Sequence, residues 1–187
     1  MAFLIVGGSA RGVGKTTVVC ELIRAFQELA PIALKVTSHP HTPEDTWRVE
    51  EEISVVGDKD TARYLKAGAK RALLICVPDS CPDGFARIEQ MFGGESLVIL
   101  ESTRAAGRVK ACFSLYVTAP GVQEKKSNAF GVTTLFDAVL SNNRVQAPMV
   151  EQPNLYASCP NGELPVEILR KIRQKLTDNS SQKNEMR

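Results

Sequence analysis

Short apolar runs alternate along the chain with stretches of helical period. Phe3 to Val6, Ile32 to Val36, Arg71 to Val77, Ser96 to Leu100 and Ala111 to Thr118 are nearly continuous in apolar residues, the pattern of strands buried on both faces of a sheet. Ala138 to Leu140 and Leu155 to Ser158 read as two further short strands. Between them, Val18, Val19, Leu22, Ile23, Phe26 and Leu29 recur at steps of three and four, which predicts a helix over Lys15–Leu29 stopped by Ala30-Pro31. A second helix is expected from Thr61 to Ala67, ended by Gly68, and a third opens at Asp83 and runs through Met91. Val132 to Phe136 reads as a short helix, and Pro165 to Leu176 as the closing one. Thr37 to Asp58 is turn-rich and polar, hence a long connection, and the chain from Thr177 onward lacks an apolar period and is expected to be a disordered tail. Strands alternating with helices predict an α/β fold of three layers around a mostly parallel sheet, one domain over residues 1–176. In such folds ligands bind at the carboxyl ends of the strands.

The candidate chemistry begins at the first of those ends. Gly7-Gly8-Ser9-Ala10-Arg11-Gly12-Val13-Gly14-Lys15-Thr16-Thr17 joins the first strand to the first helix. Glycines there let backbone amides turn toward an anion, and the helix amino terminus behind them favours negative charge. The residues expected to bind phosphates are therefore Gly12, Val13, Gly14, Lys15, Thr16 and Thr17, with the Lys15 ammonium on the outer phosphates and the Thr16 hydroxyl on Mg²⁺. Ser9 stands where this loop usually carries its first glycine, and its amide is expected to join the cradle. Arg11 at the tip is a candidate for stabilising developing charge.

A nucleotide-bound Mg²⁺ needs a carboxylate beside the loop hydroxyl. Glu101, delivered by Leu97 to Leu100, has that position. Asp60 reads two ways, as a helix cap or as a partner of metal-bound water. His39 and His41, in the connection after the second strand, are either groups that meet a γ-phosphate, a substrate or a metal, or exposed loop histidines. Lys35, ending that strand, adds a positive charge. Asn142, with Asn143, and Ser158 lie at strand ends from which they would reach a nucleotide base. The catalytic candidates are then Lys15, Glu101, His39 and His41, and the metal candidates Thr16, Glu101 and Asp60.

Composition narrows the classes. The 187 residues are 43% hydrophobic and 24% charged, as in a globular domain, and the net charge of +2 argues against a nucleic-acid partner. No apolar run is long enough to span a membrane, and a strand starting at residue 2 leaves no room for a secretory leader, so a cytoplasmic protein is expected. Five cysteines, an odd number scattered through apolar segments, fit reduced thiols, and Cys76 with Cys81 form a single C-x₄-C pair with no second pair beside it.

Taken in order, Gly8 to Thr17, Lys35-Val36-Thr37-Ser38-His39-Pro40-His41, Gly57 to Ala69 and Leu97 to Ser102 resemble the bacterial molybdopterin-guanine dinucleotide biosynthesis protein B family over about residues 1–105. The resemblance implies a P-loop NTPase fold and a nucleotide-binding accessory protein, often a homodimer, with weak GTPase activity and a partner in molybdenum cofactor biosynthesis. Ser102 replaces the family's glycine after Glu101, and the carboxy-terminal third departs from the family. Asn142-Asn143-Arg144-Val145 keeps an asparagine of the guanine-reading Asn-Lys-x-Asp motif but lacks its aspartate, so GTP and ATP both stay open. The rival readings on the same fold are a small-molecule kinase or ATP-dependent ligase similar to dethiobiotin synthetase, and a nucleotide-sensing scaffold without catalysis.

Overall fold

A computed structural model describes residues 2–38, 47–119, 133–141, 155–158 and 163–185. The elements, in chain order, are β1 (Ala2–Gly8), α1 (Lys15–Ala25), β2 (Ile32–Thr37), β3 (Arg48–Glu52), α2 (Asp60–Lys66), β4 (Arg71–Cys76), α3 (Gly84–Phe92), β5 (Leu97–Glu101), β6 (Phe113–Thr118), β7 (Ala138–Ser141), β8 (Leu155–Ser158) and α4 (Val166–Glu185). All the strands join one eight-stranded sheet in the order β3-β4-β2-β5-β1-β6-β7-β8. Every pairing is parallel except that of the edge strand β3, which runs antiparallel to β4. The three-layer α/β fold expected from the alternation is the one observed.

The apolar runs work because a strand turns successive side chains to opposite faces. Along β1, Ala2, Leu4 and Val6 join the core beneath α1, α2 and α4, together with Val19, Leu22, Ile23, Tyr64, Ile168 and Ile172. Phe3 and Ile5 join the other core, beneath α3, with Phe85, Ile88, Phe92 and Phe136. Both faces of β1 are therefore dry. From β1 the chain builds β2 to β5 on one side of the sheet and β6 to β8 on the other, so the direction of strand addition reverses at β1. A crevice at the carboxyl end of such a strand is the usual ligand position of an open α/β sheet.

Four elements differ from expectation, and for the first two the physical reason is plain. The stretch taken as a long connection contains β3, whose Arg48-Val49-Glu50-Glu51-Glu52 has no apolar alternation to announce it. It is held at the edge by β4 and by a two-pronged ion pair in which Arg71 donates to both Glu51 carboxylate oxygens at 2.8 and 2.7 Å. The polar stretch from Thr177, expected to be disordered, is helical as far as Glu185. Nothing in it breaks a helix, and Thr177 and Ser181 turn their hydroxyls onto the carbonyls of Arg173 and Thr177 one turn back. The first helix ends at Ala25, and a 3₁₀ turn over Gln27–Leu29 leads into Ala30 at φ 47°. The short helix expected over Val132–Phe136 starts outside the described residues, and 134–137 form turns and bends.

Among the described residues no helix is long and apolar enough to cross a membrane. Cys20, Cys76, Cys81 and Cys112 are free thiols, and Cys159 lies outside the described residues. Burial pushes the Cys112 thiol up to about 11, which leaves it inert at neutral pH.

Gly7 tests this packing. A Cβ there would lie 2.4 Å from Cζ of the buried Phe136 ring and 3.2 Å from the Thr103 Cα. Gly7→Ala is expected to destabilise the protein by about 1–3 kcal/mol in urea unfolding, the usual range for overpacking a tight core; an unchanged midpoint would mean that the ring does not pack there.

Candidate functional site

The site forms where β1, β5 and β2 end side by side. Glu101, the last residue of β5, is in register with Val6 of β1 on one side and Lys35 of β2 on the other. Its side chain is 1% exposed. A carboxylate that deep is tolerable only when charged or hydroxyl donors replace its water. Lys35 supplies an ammonium to Oε1 and Tyr64 a hydroxyl to Oε2. Thr16 Oγ1 lies 3.0 Å from the same Oε2.

Asp60 completes the network. It is the first residue of α2, not its cap; Lys59 holds the cap position without a side-chain bond. The Asp60 carboxylate instead reaches back across the sheet end, with Oδ1 2.8 Å from Thr16 Oγ1 and Oδ2 3.0 Å from Lys35 Nζ. Arg63, one turn further along α2, lies 4.0 Å from Asp60 and 3.4 Å from the Thr17 hydroxyl. Burial alone would pull the Lys35 ammonium down, but the charges of Glu101 and Asp60 outweigh it and hold its pKa up. Burial likewise works to raise Asp60, and Lys35 together with the Thr16 hydrogen bond more than reverses that, leaving it low. Tyr64 is raised well above its ordinary value, first by burial and then by the Glu101 charge, so its phenol stays protonated and donates.

Thr16 has one proton and two carboxylate neighbours. It can donate to Asp60 or to Glu101, not to both at once. The three oxygens stand 2.8 and 3.0 Å apart across the Thr16 hydroxyl. Adjacent oxygens of an octahedral Mg²⁺, each about 2.0–2.1 Å from the metal, are separated by about 2.9 Å. The two separations are those of ordinary O–H···O hydrogen bonds, and the same two spacings suit neighbouring ligands of such a shell.

The loop that leads into this cluster is shaped by its surroundings. Gly12 and Gly14 have φ of 82° and 102°, values an L side chain rarely adopts, and Gly14 occupies the cap position of α1 with no side chain to fill it. No acidic residue stands in the first turn of α1, where Lys15, Thr16 and Thr17 begin the helix. Amides at a helix start cannot bond within the helix and favour an anion. Lys15 Nζ donates to the Ala10 carbonyl at 2.5 Å, and Arg11 at the tip is exposed. Val13 is different: its side chain is fully buried in the core beneath α1, so only its backbone is left to face a ligand.

One expectation about the loop is corrected. The Ser9 amide is not directed into the cradle; it donates to the Val117 carbonyl of β6 at 3.0 Å. The preceding amide, Gly8, donates to the Thr103 hydroxyl at 2.9 Å, and that hydroxyl donates back to the Gly8 carbonyl at 3.1 Å. An anion-binding surface therefore starts after Ser9. The Ser9 hydroxyl is buried and has no partner among the described residues.

The structure thus brings Lys15, Thr16, Asp60 and Glu101 to one end of the sheet. Ser158 is the last residue of β8, in register with Ser141 of β7. His39, His41, Asn142 and Asn143 lie outside the described residues. Sequence reasoning passed over Tyr64 and Thr103. For Tyr64 a signal existed: it follows Asp60 by four residues and so shares its helix face. Thr103 carried none, because its partner is 95 residues away. Among the described residues no group of three or more His, Cys, Asp or Glu converges, which leaves Cys76 and Cys81 without metal-site company.

No family model and no curated protein sequence matches the chain. Solved structures do. LpxK from Aquifex aeolicus, in a structure with ATP, is similar with a TM-score of 0.54 and 11% identity, over 84% of this chain and 53% of LpxK, so the chain spans about half of that protein's length. HypB from Helicobacter pylori, in a structure with nickel, is similar with a TM-score of 0.50 and 14% identity, over 99% of this chain and 88% of HypB. A third likeness, to molybdopterin-guanine biosynthesis protein B (MobB), has a TM-score of 0.45 and 17% identity, over 94% of this chain and 99% of that protein. The conclusion that the likenesses to LpxK and HypB carry concerns architecture: this chain has the P-loop NTPase fold.

The buried network makes Tyr64 testable by itself. Tyr64→Phe removes one donor from a buried carboxylate and leaves the ring in place. It is expected to cost about 1.5–3 kcal/mol of stability, the range for a hydrogen bond to a charged group; a urea midpoint at the wild-type value would show that Glu101 does not rely on the phenol.

Proposed function

We propose that the chain binds a nucleoside triphosphate with Mg²⁺ at the Gly12–Thr17 loop and hydrolyses it slowly. The observation that carries this reading is the meeting of the Thr16 hydroxyl with the Asp60 and Glu101 carboxylates directly beside a glycine loop that opens a helix. When bound, the metal neutralises phosphate charge and orients the outer phosphates. The chain's own part is to present loop amides and the α1 amino terminus to the phosphates and to place Lys15 against them. For that, Lys15 exchanges the Ala10 carbonyl for a phosphate oxygen. Thr16, Asp60 and Glu101 are the residues that would hold the metal, and Lys35 and Tyr64 hold the Glu101 carboxylate in place.

His39 and His41 follow β2, whose end lies beside this cluster, and in this reading they respond to the γ-phosphate. Asn142 and Ser158, after β7 and at the end of β8, are the proposed contacts to the base. ATP in the LpxK structure and the sequence resemblance over residues 1–105 make ATP and GTP the two nucleotides to compare. The same resemblance supports an accessory role in molybdenum cofactor biosynthesis, with a protein partner of that pathway and a homodimer as its working form.

The test is thermal unfolding with ATP or GTP, each with and without Mg²⁺. A nucleotide at about 100 times its Kd adds about 2.7 kcal/mol of stability to wild type. Lys15→Ala is expected to lose most of that gain while unfolding normally without ligand. If the variant is stabilised by Mg²⁺ with ATP and GTP as fully as the parent, Lys15 does not meet the phosphates and the proposal fails.

A further inference from the structure

Lys35 stands in an unusual relation to the two carboxylates. The four carboxylate oxygens divide into two pairs: Asp60 Oδ1 and Glu101 Oε2 face the Thr16 hydroxyl, while Asp60 Oδ2 and Glu101 Oε1 hold the Lys35 ammonium. Lys35 is thus a resident cation on the far side of the oxygens that would meet a metal. It cannot easily leave. Its backbone lies in β2, in register with Glu101, and its side chain is only 24% exposed.

We infer that Lys35 keeps this carboxylate pair from taking up a bare divalent cation, so that the metal is accepted only together with nucleotide phosphates. The inference rests on the proposed metal role of Thr16, Asp60 and Glu101. Two carboxylates alone would present two negative charges; with Lys35 between them the cluster carries one. Mg²⁺ gives up its water reluctantly and is usually held by one or two carboxylates plus substrate phosphates, not by protein alone. Removing half of the protein's negative charge moves the balance further toward the phosphates. Even with the dielectric of bulk water, a unit charge and a divalent ion held on opposite sides of one carboxylate group repel by about 1 kcal/mol or more, on the order of a tenfold change in affinity. Arg63 adds positive charge in the same direction, but at 4.0 Å from Asp60 and with its side chain 43% exposed it is well screened. Lys35 acts through Asp60 and Glu101, and is therefore a positioning residue for charge, with a specificity consequence: free metal is refused and metal-nucleotide is admitted.

The experiment titrates Mn²⁺ into the full chain and reads unbound Mn²⁺ by electron paramagnetic resonance, with and without ATP or GTP. Wild type is expected to bind Mn²⁺ weakly alone and much more tightly with nucleotide. Lys35→Met is expected to bind bare Mn²⁺ at least about tenfold more tightly than wild type, and Lys35→Arg, which keeps the charge, to match wild type. Should the Met variant fold poorly, Lys35→Gln carries the same expectation. Unchanged or weaker bare-ion affinity in the neutral variants overturns the inference, and so does an Arg variant as tight as the Met variant, since charge would then not be the cause. If wild type takes up Mn²⁺ with nucleotide while the neutral variants gain nothing without it, only the role of Lys35 falls. If wild type takes up no Mn²⁺ even with nucleotide, the metal site falls as well.

Discussion

A carboxylate with almost no contact to water, Glu101 at the end of the central strand β5, sets the terms for everything around it. Burying an ion costs several kcal/mol unless donors replace its water, and breaking a buried pair leaves that cost uncompensated. The replacements for Glu101 come from three separate elements: Lys35 from β2, Tyr64 from α2 and Thr16 from α1. No one of them is local in sequence. The fold must bring β2 beside β5 and seat α1 and α2 over the same strand ends before the charge is tolerable. Site and fold are therefore held by the same contacts, and a shift of α2 would release Asp60 and Tyr64 together.

The glycine loop between β1 and α1 is held at its entrance in a comparable way. Thr103, in the short turn after β5, exchanges two hydrogen bonds with Gly8, and the Val117 carbonyl of β6 takes the Ser9 amide. The strands on either side of β1 thus each grip the chain as it leaves the sheet. Beyond that grip the path turns through Gly12 and Gly14 at positive φ into α1. Shape imposed by neighbours before a ligand arrives lowers the ordering cost of binding.

What could be read in the sequence follows from how local each signal is. The buried strands were legible because a short apolar run bounded by turns suits a strand and is too brief for a helix, and α1 because its apolar residues keep one helical period. The edge strand β3 was not, since three successive glutamates satisfy no strand pattern and the strand gains its place from Arg71 and β4. The far half of α4 was hidden because continuing a helix needs only the absence of a breaker, and a polar helix has the composition of a disordered tail. Thr16 and Glu101 were found as ends of elements. Asp60 was ambiguous because a cap and a ligand call for the same side chain, and only the position of Thr16 and Lys35 separates the two. Tyr64 shares a helix face with Asp60, but a buried aromatic ring also reads as core, and its hydroxyl becomes meaningful only beside Glu101.

The charges at the strand ends make these residues one unit instead of a set of independent contacts. Lys35 is held protonated by the carboxylates it neutralises, and Asp60 is held ionised by Lys35 and by Thr16. Tyr64, kept neutral by burial and by the charge next to it, can only donate. Lys35 and Asp60 thus each support the charge of the other, and one oxygen of each carboxylate is left facing Thr16. The Thr16 hydroxyl, with one proton between two acceptors, is the place where that balance is incomplete. An incoming positive charge would meet least resistance there, on the side of the carboxylates away from Lys35 and next to the first turn of α1, where the proposed phosphate site lies.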